Sequence, residues 1–312
     1  MNYKETQREK VIQSRDNIFR DSGEGLYRGN AREFVLSNPM LNLWDGIRED
    51  VLEYFRENKI TWWPGQAAPT GHLLSSQIAC LNHLYALRQR KDCADSILQN
   101  VSDTLSESVF VDSGFVEFEK NGASPLGKEK SCHRGSHSTS IDGFMMARNK
   151  KGEKVLVLIE WKYTESYPSK SLLLSDSGTN RLDVYRELLE DPHSPVITTN
   201  PEDLFYEPYY QVMRQTLLGW TMVRNREYDA TDWLHVHVIP KENREMRERI
   251  TSPNLQGTTF EESWKAQLRN PDKYIVMTPE EFMSPITGLQ DTRSWMDYLQ
   301  QRYWTGGTNK GG

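Results

Sequence analysis

The sequence is short of the features that would fix a class at once. Cys80, Cys93 and Cys132 are its three cysteines. Their number is odd and their spacing suits no metal site, so a disulfide framework is not indicated, and reduced thiols in a cytoplasmic protein are the expectation. No apolar run approaches the roughly 18–20 residues that cross a bilayer, so no membrane partner is expected. The stretch Met1-Asn2-Tyr3-Lys4-Glu5-Thr6 is polar, and no secretory signal is expected there. Basic charge is also short: 38 Lys and Arg against 44 Asp and Glu give a net charge of −6. That balance argues against a nucleic-acid partner, although local patches and bound Mg²⁺ weigh more than the sum. Missing too are a P-loop, a dinucleotide glycine fingerprint and a G-x-S-x-G elbow, which leaves NTPase, dehydrogenase and α/β-hydrolase chemistry unsupported.

What remains is a soluble globular composition, 37% hydrophobic and 26% charged over 312 residues, enough for a substantial core. Apolar spacing predicts helices over 5–20, 45–58, 75–90, 181–190, 207–224, 260–268 and 291–303. Asp45 is a candidate N-cap for the second of these. Strands are predicted over 113–119, 233–239 and 274–277, in addition to a pair flanking Asn149-Lys150-Lys151-Gly152-Glu153, which has the composition of a hairpin turn. Helices and strands interleave without an internal repeat. The fold class is therefore α/β, a mixed central sheet flanked by helices.

The second strand of that hairpin carries the chemistry. Val155-Leu156-Val157-Leu158-Ile159 reads as a strand buried on both faces, yet Glu160 and Lys162 follow it directly. Two apart on a strand, they leave the same face. A buried carboxylate and ammonium cost several kcal/mol unless paired or bound to an ion. Asp142 lies eighteen residues before Glu160, and the hairpin can bring it alongside. Asp142 and Glu160 can hold Mg²⁺ (or Mn²⁺) through oxygen ligands, with Lys162 orienting or deprotonating a water, or neutralising developing charge. The bland alternative is a Glu–Lys pair fraying into solvent beside an unrelated Asp. Glu117 is a candidate third metal ligand if its strand neighbours that of Asp142; an exposed strand glutamate is the alternative. Lys128, Lys130 and Arg134, in a polar loop over 120–137, can track a phosphate backbone, and His137 can approach a scissile phosphate. His235 and His237 share one strand face, either as half a zinc site or as ordinary sheet-surface histidines.

The pattern Asp142–Glu160-Trp161-Lys162 resembles the PD-(D/E)xK nuclease superfamily. The likeness extends to Ser75-Ser76-Gln77, Val116-Glu117-Phe118-Glu119, Thr139-Ser140-Ile141-Asp142, Ile159 to Glu165 and Tyr210-Gln211-Val212-Met213-Arg214-Gln215, over roughly residues 45 to 285, where it is similar to one bacterial branch. Ile141 stands where the superfamily name has proline. The resemblance implies a restriction-endonuclease-like core and a metal-dependent nuclease acting on DNA rather than RNA, with endonuclease action expected and a homodimer compatible with it. It also implies that Gln211 and Gln215, with Arg214 between them, support the site or touch phosphate from the helix after the Glu-x-Lys strand. Gln77 would take the place of an acidic residue on the first core helix. Exonuclease relatives carry Tyr four residues after Gln, and here Gln215 stands there, which weakens an exonuclease assignment. The expected division is an N-terminal helical segment packed on the core over 1–65, a nuclease-like domain over 66–290, and a C-terminal helix with a flexible tail over 291–312. A nucleic-acid-binding module that is catalytically silent, or needs a partner, is the rival reading.

Overall fold

The structure is a computed structural model and describes residues 2–63, 65–131 and 138–304. Helix α1 (Tyr3–Phe19) opens on a capping box, in which Asn2 accepts from the Glu5 amide and the Glu5 side chain returns to the Asn2 amide. A small hairpin follows, β1 (Gly25–Tyr27) and β2 (Asn30–Arg32), then α2 (Arg48–Glu57), α3 (Ser76–Leu84) and α4 (Lys91–Val101). The main sheet has six strands: β3 (Leu105–Val109), β4 (Glu117–Lys120), β5 (Ile141–Asn149), β6 (Lys154–Trp161), β7 (Asp232–Val238) and β8 (Tyr274–Met277). Between β6 and β7 the chain forms α5 (Leu182–Leu189) and α6 (Tyr209–Arg224). After β7 come α7 (Arg244–Glu248) and α8 (Phe260–Lys265), and after β8, α9 (Pro279–Met283) and α10 (Arg293–Arg302).

The strand order is β3-β5-β6-β7-β8, with β4 pairing the other half of the β5 edge. β5 runs antiparallel to β3, β4 and β6, whereas β6, β7 and β8 are parallel, so the sheet is mixed, as the sequence predicts. The β5–β6 turn also forms where expected: Asn149 Oδ1 accepts from the Lys151 and Glu153 amides, and Gly152 takes a φ of +84° that a side chain would resist. Alternation along β6 buries both of its faces. Val155, Val157, Ile159 and Trp161 join a core with α3 and α4, while Leu156 and Leu158 join one with α6.

Three local expectations are corrected. The helix expected over 75–90 ends at Leu84 and passes through a 3₁₀ turn, Tyr85–Gln89, into α4, which periodicity had not singled out. The strand expected over 113–119 starts only at Glu117, because Ser113 turns back so that its amide and hydroxyl donate to the Glu117 carboxylate. Asp45 begins a 3₁₀ turn, Asp45–Ile47, and does not cap α2.

Candidate active site

Register decides which side chains meet. Gly143 pairs Ile159, which brings Asp142 and Glu160 to adjoining strand positions: Glu160 follows Leu156 and Leu158 onto the face that packs against α6, whereas Asp142 lines a cleft with Gln77 and Cys80 of α3. Asp142 Oδ2 accepts from the Trp161 amide at 2.9 Å, which fixes the aspartate across the strand end. Glu160 and Lys162 are 1% and 4% exposed and form a buried ion pair, Nζ to Oε1 at 2.6 Å. Burial alone would neutralise such a lysine. The charges of Glu160, Tyr167, Glu165 and Asp142 together outweigh that pull and hold the ammonium well above its ordinary value.

Helix α6 supplies the rest of the cradle. Gln211 and Gln215 sit one turn apart on one face. Gln211 Oε1 accepts from Lys162 Nζ at 2.5 Å, and Gln215 Nε2 donates to Glu160 Oε2 and, at 3.3 Å, to the Ser140 carbonyl. A turn further on, a Cβ at Gly219 would stand 3.0 Å from Leu158 Cδ1, so the bare glycine lets α6 lie close on β6. Gln215 Oε1 is buried without a partner among the described residues. The Tyr167 hydroxyl, 3.2 Å from Nζ, completes the surroundings of Lys162.

Glu117 is not brought to this point. It is 2% exposed, paired to Arg88 at 3.0 Å, and accepts from the Tyr54 hydroxyl at 2.7 Å. Glu119 stands opposite Asp142 instead, since Phe118 pairs Gly143 and Lys120 pairs Ile141. The sequence reading passed over Glu119, although it lies on the same strand two residues away. Gln77, from the start of α3, donates to Glu119 Oε1 at 2.7 Å and accepts from the Trp63 amide at 2.9 Å. Burial, then the charges of Glu160 and Glu119, push the Asp142 carboxyl well above the ordinary aspartate range, against the pull of Lys162 and the Trp161 amide. The Cys80 thiol beneath is likewise pushed up by burial and then by Asp142, Glu119 and Glu160. Three carboxyl groups thus converge there.

That crowding has a stability consequence. A folded carboxyl raised above its unfolded value contributes stability that is fully present below the unfolded pKa and lost as pH rises through the folded one. In metal-free protein, Asp142→Asn is therefore expected to raise Tm at neutral pH and to leave it unchanged below the ordinary aspartate range. Thermal unfolding in EDTA across that window checks it; a neutral-pH Tm equal to or below the parent's would remove the charge-crowding account.

Among the nucleic-acid candidates, Lys128, Lys130 and Arg214 line one cleft of about 230 Å³ together with Arg181, which the sequence reading had not weighed. Arg181 and Arg214 both lie over the Tyr210 ring, 5.9 and 4.6 Å from its centroid. Neither makes an ion pair among the described residues, whereas Lys128 pairs Glu187 at 2.9 Å. Arg134 and His137 lie outside the described residues. His235 and His237 are fully buried, not on the sheet surface. His237 Nδ1 is 2.6 Å from the Tyr274 hydroxyl, and burial, then the nearby Lys162 charge, lowers His235 to about 3 and His237 well below its ordinary value. Among the described residues no three His, Cys, Asp or Glu side chains stand in metal-ligating geometry.

A mixed sheet, a hairpin bearing Asp142 opposite Glu160-x-Lys162 and a glutamine helix over them describe a restriction-endonuclease-like core. Residues 8–304 match the model of one such family, restriction endonuclease associating with ARP. The chain belongs to that family. No curated protein and no solved structure matches the chain. Membership in this restriction-endonuclease family makes a nuclease site the coarse assignment, and no helix among the described residues is long and apolar enough to cross a membrane.

Proposed function

We propose that the chain is a Mg²⁺-dependent endonuclease that hydrolyses phosphodiester bonds in DNA. The observation that carries this reading is the buried Glu160–Lys162 pair opposite Asp142, each member held by its own hydrogen bond. A structural ion pair has no need of a second carboxylate crowded beside it. Asp142 and Glu160 would hold the metal. The donors are all oxygen, which suits Mg²⁺ or Mn²⁺, and the accumulated negative charge is what a divalent cation relieves. Mg²⁺ keeps several waters and takes one or two protein carboxylates, which is what Asp142 and Glu160 would offer it. When bound, the metal would supply charge stabilisation at the phosphate and a more acidic water.

The chain's own residues do the rest. Lys162, held charged and aimed by Gln211, would stabilise negative charge on the phosphoryl oxygens while a water oxygen bonds to phosphorus and the bond to one bridging oxygen breaks. Gln215 would keep Glu160 from rotating out of the site. Backbone phosphates further along would meet Arg181, Arg214, Lys128 and Lys130, where two guanidiniums without ion-pair partners among the described residues are the supporting observation.

The test is conversion of supercoiled plasmid to nicked or linear DNA. The parent is expected to cut in Mg²⁺ or Mn²⁺ and not in EDTA, with Asp142→Asn inactive in both. Cutting by Asp142→Asn at the parent's rate would sink the reading. The family's description pairs its endonucleases with ARP, and that pairing, with the net charge of −6, favours one second reading. In it, the chain binds nucleic acid and cuts only with its partner; a parent that binds labelled DNA yet leaves plasmid intact under every metal condition would select it. Cytoplasmic action and a homodimer that cuts both strands belong to the same proposal.

A further inference from the structure

A second feature stands beside the carboxylates. A cleft of about 430 Å³ has Asp142 and Glu119 in its lining, and Tyr27, Trp63 and His72 line it as well. The Tyr27 and Trp63 rings are nearly parallel, 26° apart with centroids separated by 6.4 Å. His72 packs edge-on to both, at 4.9 and 6.0 Å. Trp63 is 45% exposed, unusual for the largest side chain in a protein whose other tryptophans include the fully buried Trp161 and Trp264. Its backbone is tied to the acids, because Gln77 accepts from the Trp63 amide and donates to Glu119. One amide side chain therefore links the backbone that carries Trp63 to Glu119. His72 is lowered to about 4 by burial, then by Lys4 and Arg8, so at neutral pH it adds a ring without charge.

We propose that Tyr27, Trp63 and His72 form a stacking tray for one unpaired nucleobase beside the phosphodiester held at Asp142, so that the preferred substrate is single-stranded or locally opened nucleic acid. The inference rests on the nuclease reading of Asp142 and adds the substrate's form. Its physical ground is access: in a duplex both faces of a base are covered by neighbours, and only a base out of the stack offers a face to an aromatic ring. A cleft of this volume is the size of small-molecule sites and suits a single base.

The experiment is fluorescence anisotropy with a labelled 12-nucleotide single strand and a blunt duplex of the same length, both in EDTA so that no cleavage intervenes. The parent is expected to bind the single strand more tightly. Trp63→Ala should weaken single-strand binding by about 5- to 150-fold, the range for loss of one stacked base, and leave duplex binding as it was. Trp63→Phe should recover most of the loss, and Tyr27→Leu should repeat the defect independently. A parent that prefers the duplex, or a Trp63→Ala protein that holds the single strand as well as the parent, overturns the proposal. Cleavage is scored separately in Mg²⁺, so an inactive parent would select the partner-dependent reading and leave the binding result standing.

Discussion

Lys162→Met is expected to reduce phosphodiester cleavage by about three orders of magnitude with little change in the affinity for DNA. The substitution keeps the length and apolar stem of the side chain and removes only the ammonium. That group lies 2.6 Å from Glu160 Oε1 and 2.5 Å from Gln211 Oε1, so it has no freedom to act as a general surface charge. Its protonated state is favoured because Glu160, Tyr167, Glu165 and Asp142 together more than offset burial. On the proposed nuclease reading, Lys162 would orient water and neutralise charge that grows on phosphate in the transition state. Removing one well-placed electrostatic donor typically lowers kcat by about 10²–10³, and loss of a proton-transfer partner by about 10²–10⁴. The signature to seek in steady-state kinetics is a fall in kcat with KM preserved. A parental kcat in the methionine variant would reduce Lys162 to a structural counter-ion.

Arg88→Met should destabilise the fold by about 3–5 kcal/mol, the effect of leaving a buried charge without its partner. Arg88 is 5% exposed, donates to the Val116 carbonyl at 2.8 Å and to the Ser113 hydroxyl at 2.6 Å, and lies 4.1 Å from the Tyr54 ring centroid. Without it, Glu117 keeps its carboxylate in the core with only the Tyr54 and Ser113 donors. Urea unfolding measures the loss, and Arg88→Met with Glu117→Leu should recover most of it, since an apolar replacement of both partners removes the stranded charge. The same residues decide what Glu117 is for. Glu117→Gln protein that is folded should cut DNA at the parent's rate; a folded but inactive variant would return Glu117 to the role of metal ligand.

The contrast between Glu117 and Glu119 shows where a sequence stops being readable. Asp142, Glu160 and Lys162 were legible because their chemistry conflicts with the apolar run before them and because a five-residue turn fixes how the two strands meet. The two β4 glutamates have the same local signal. They differ only in what approaches from elsewhere, Arg88 and Tyr54 on one and Gln77 on the other, and long-range packing leaves no trace in local spacing. α6 was legible from its periodicity, and its glutamines from the resemblance. Strand β3 was missed because Ser106, Glu107 and Ser108 look like a loop. The sheet claims them through Ser108, whose amide and hydroxyl donate to Asp95, and through pairing with β5. The aromatic tray was beyond local reasoning too, since Tyr27, Trp63 and His72 lie on three different segments.

The order of the strands also sets an order of events in folding. β5 and β6 are joined by a tight turn, so Asp142 and Glu160 meet through a contact that closes over a few residues. Parallel pairing of β6 with β7, and docking of α6 on that face, must wait for the long crossover that holds α5 and α6. Closure of so long a loop is slow compared with a hairpin. On that account the strands of Asp142 and Glu160 are expected to pair before the glutamine helix docks over Lys162. On the proposed nuclease reading, capacity to cut would then wait for completion of the fold.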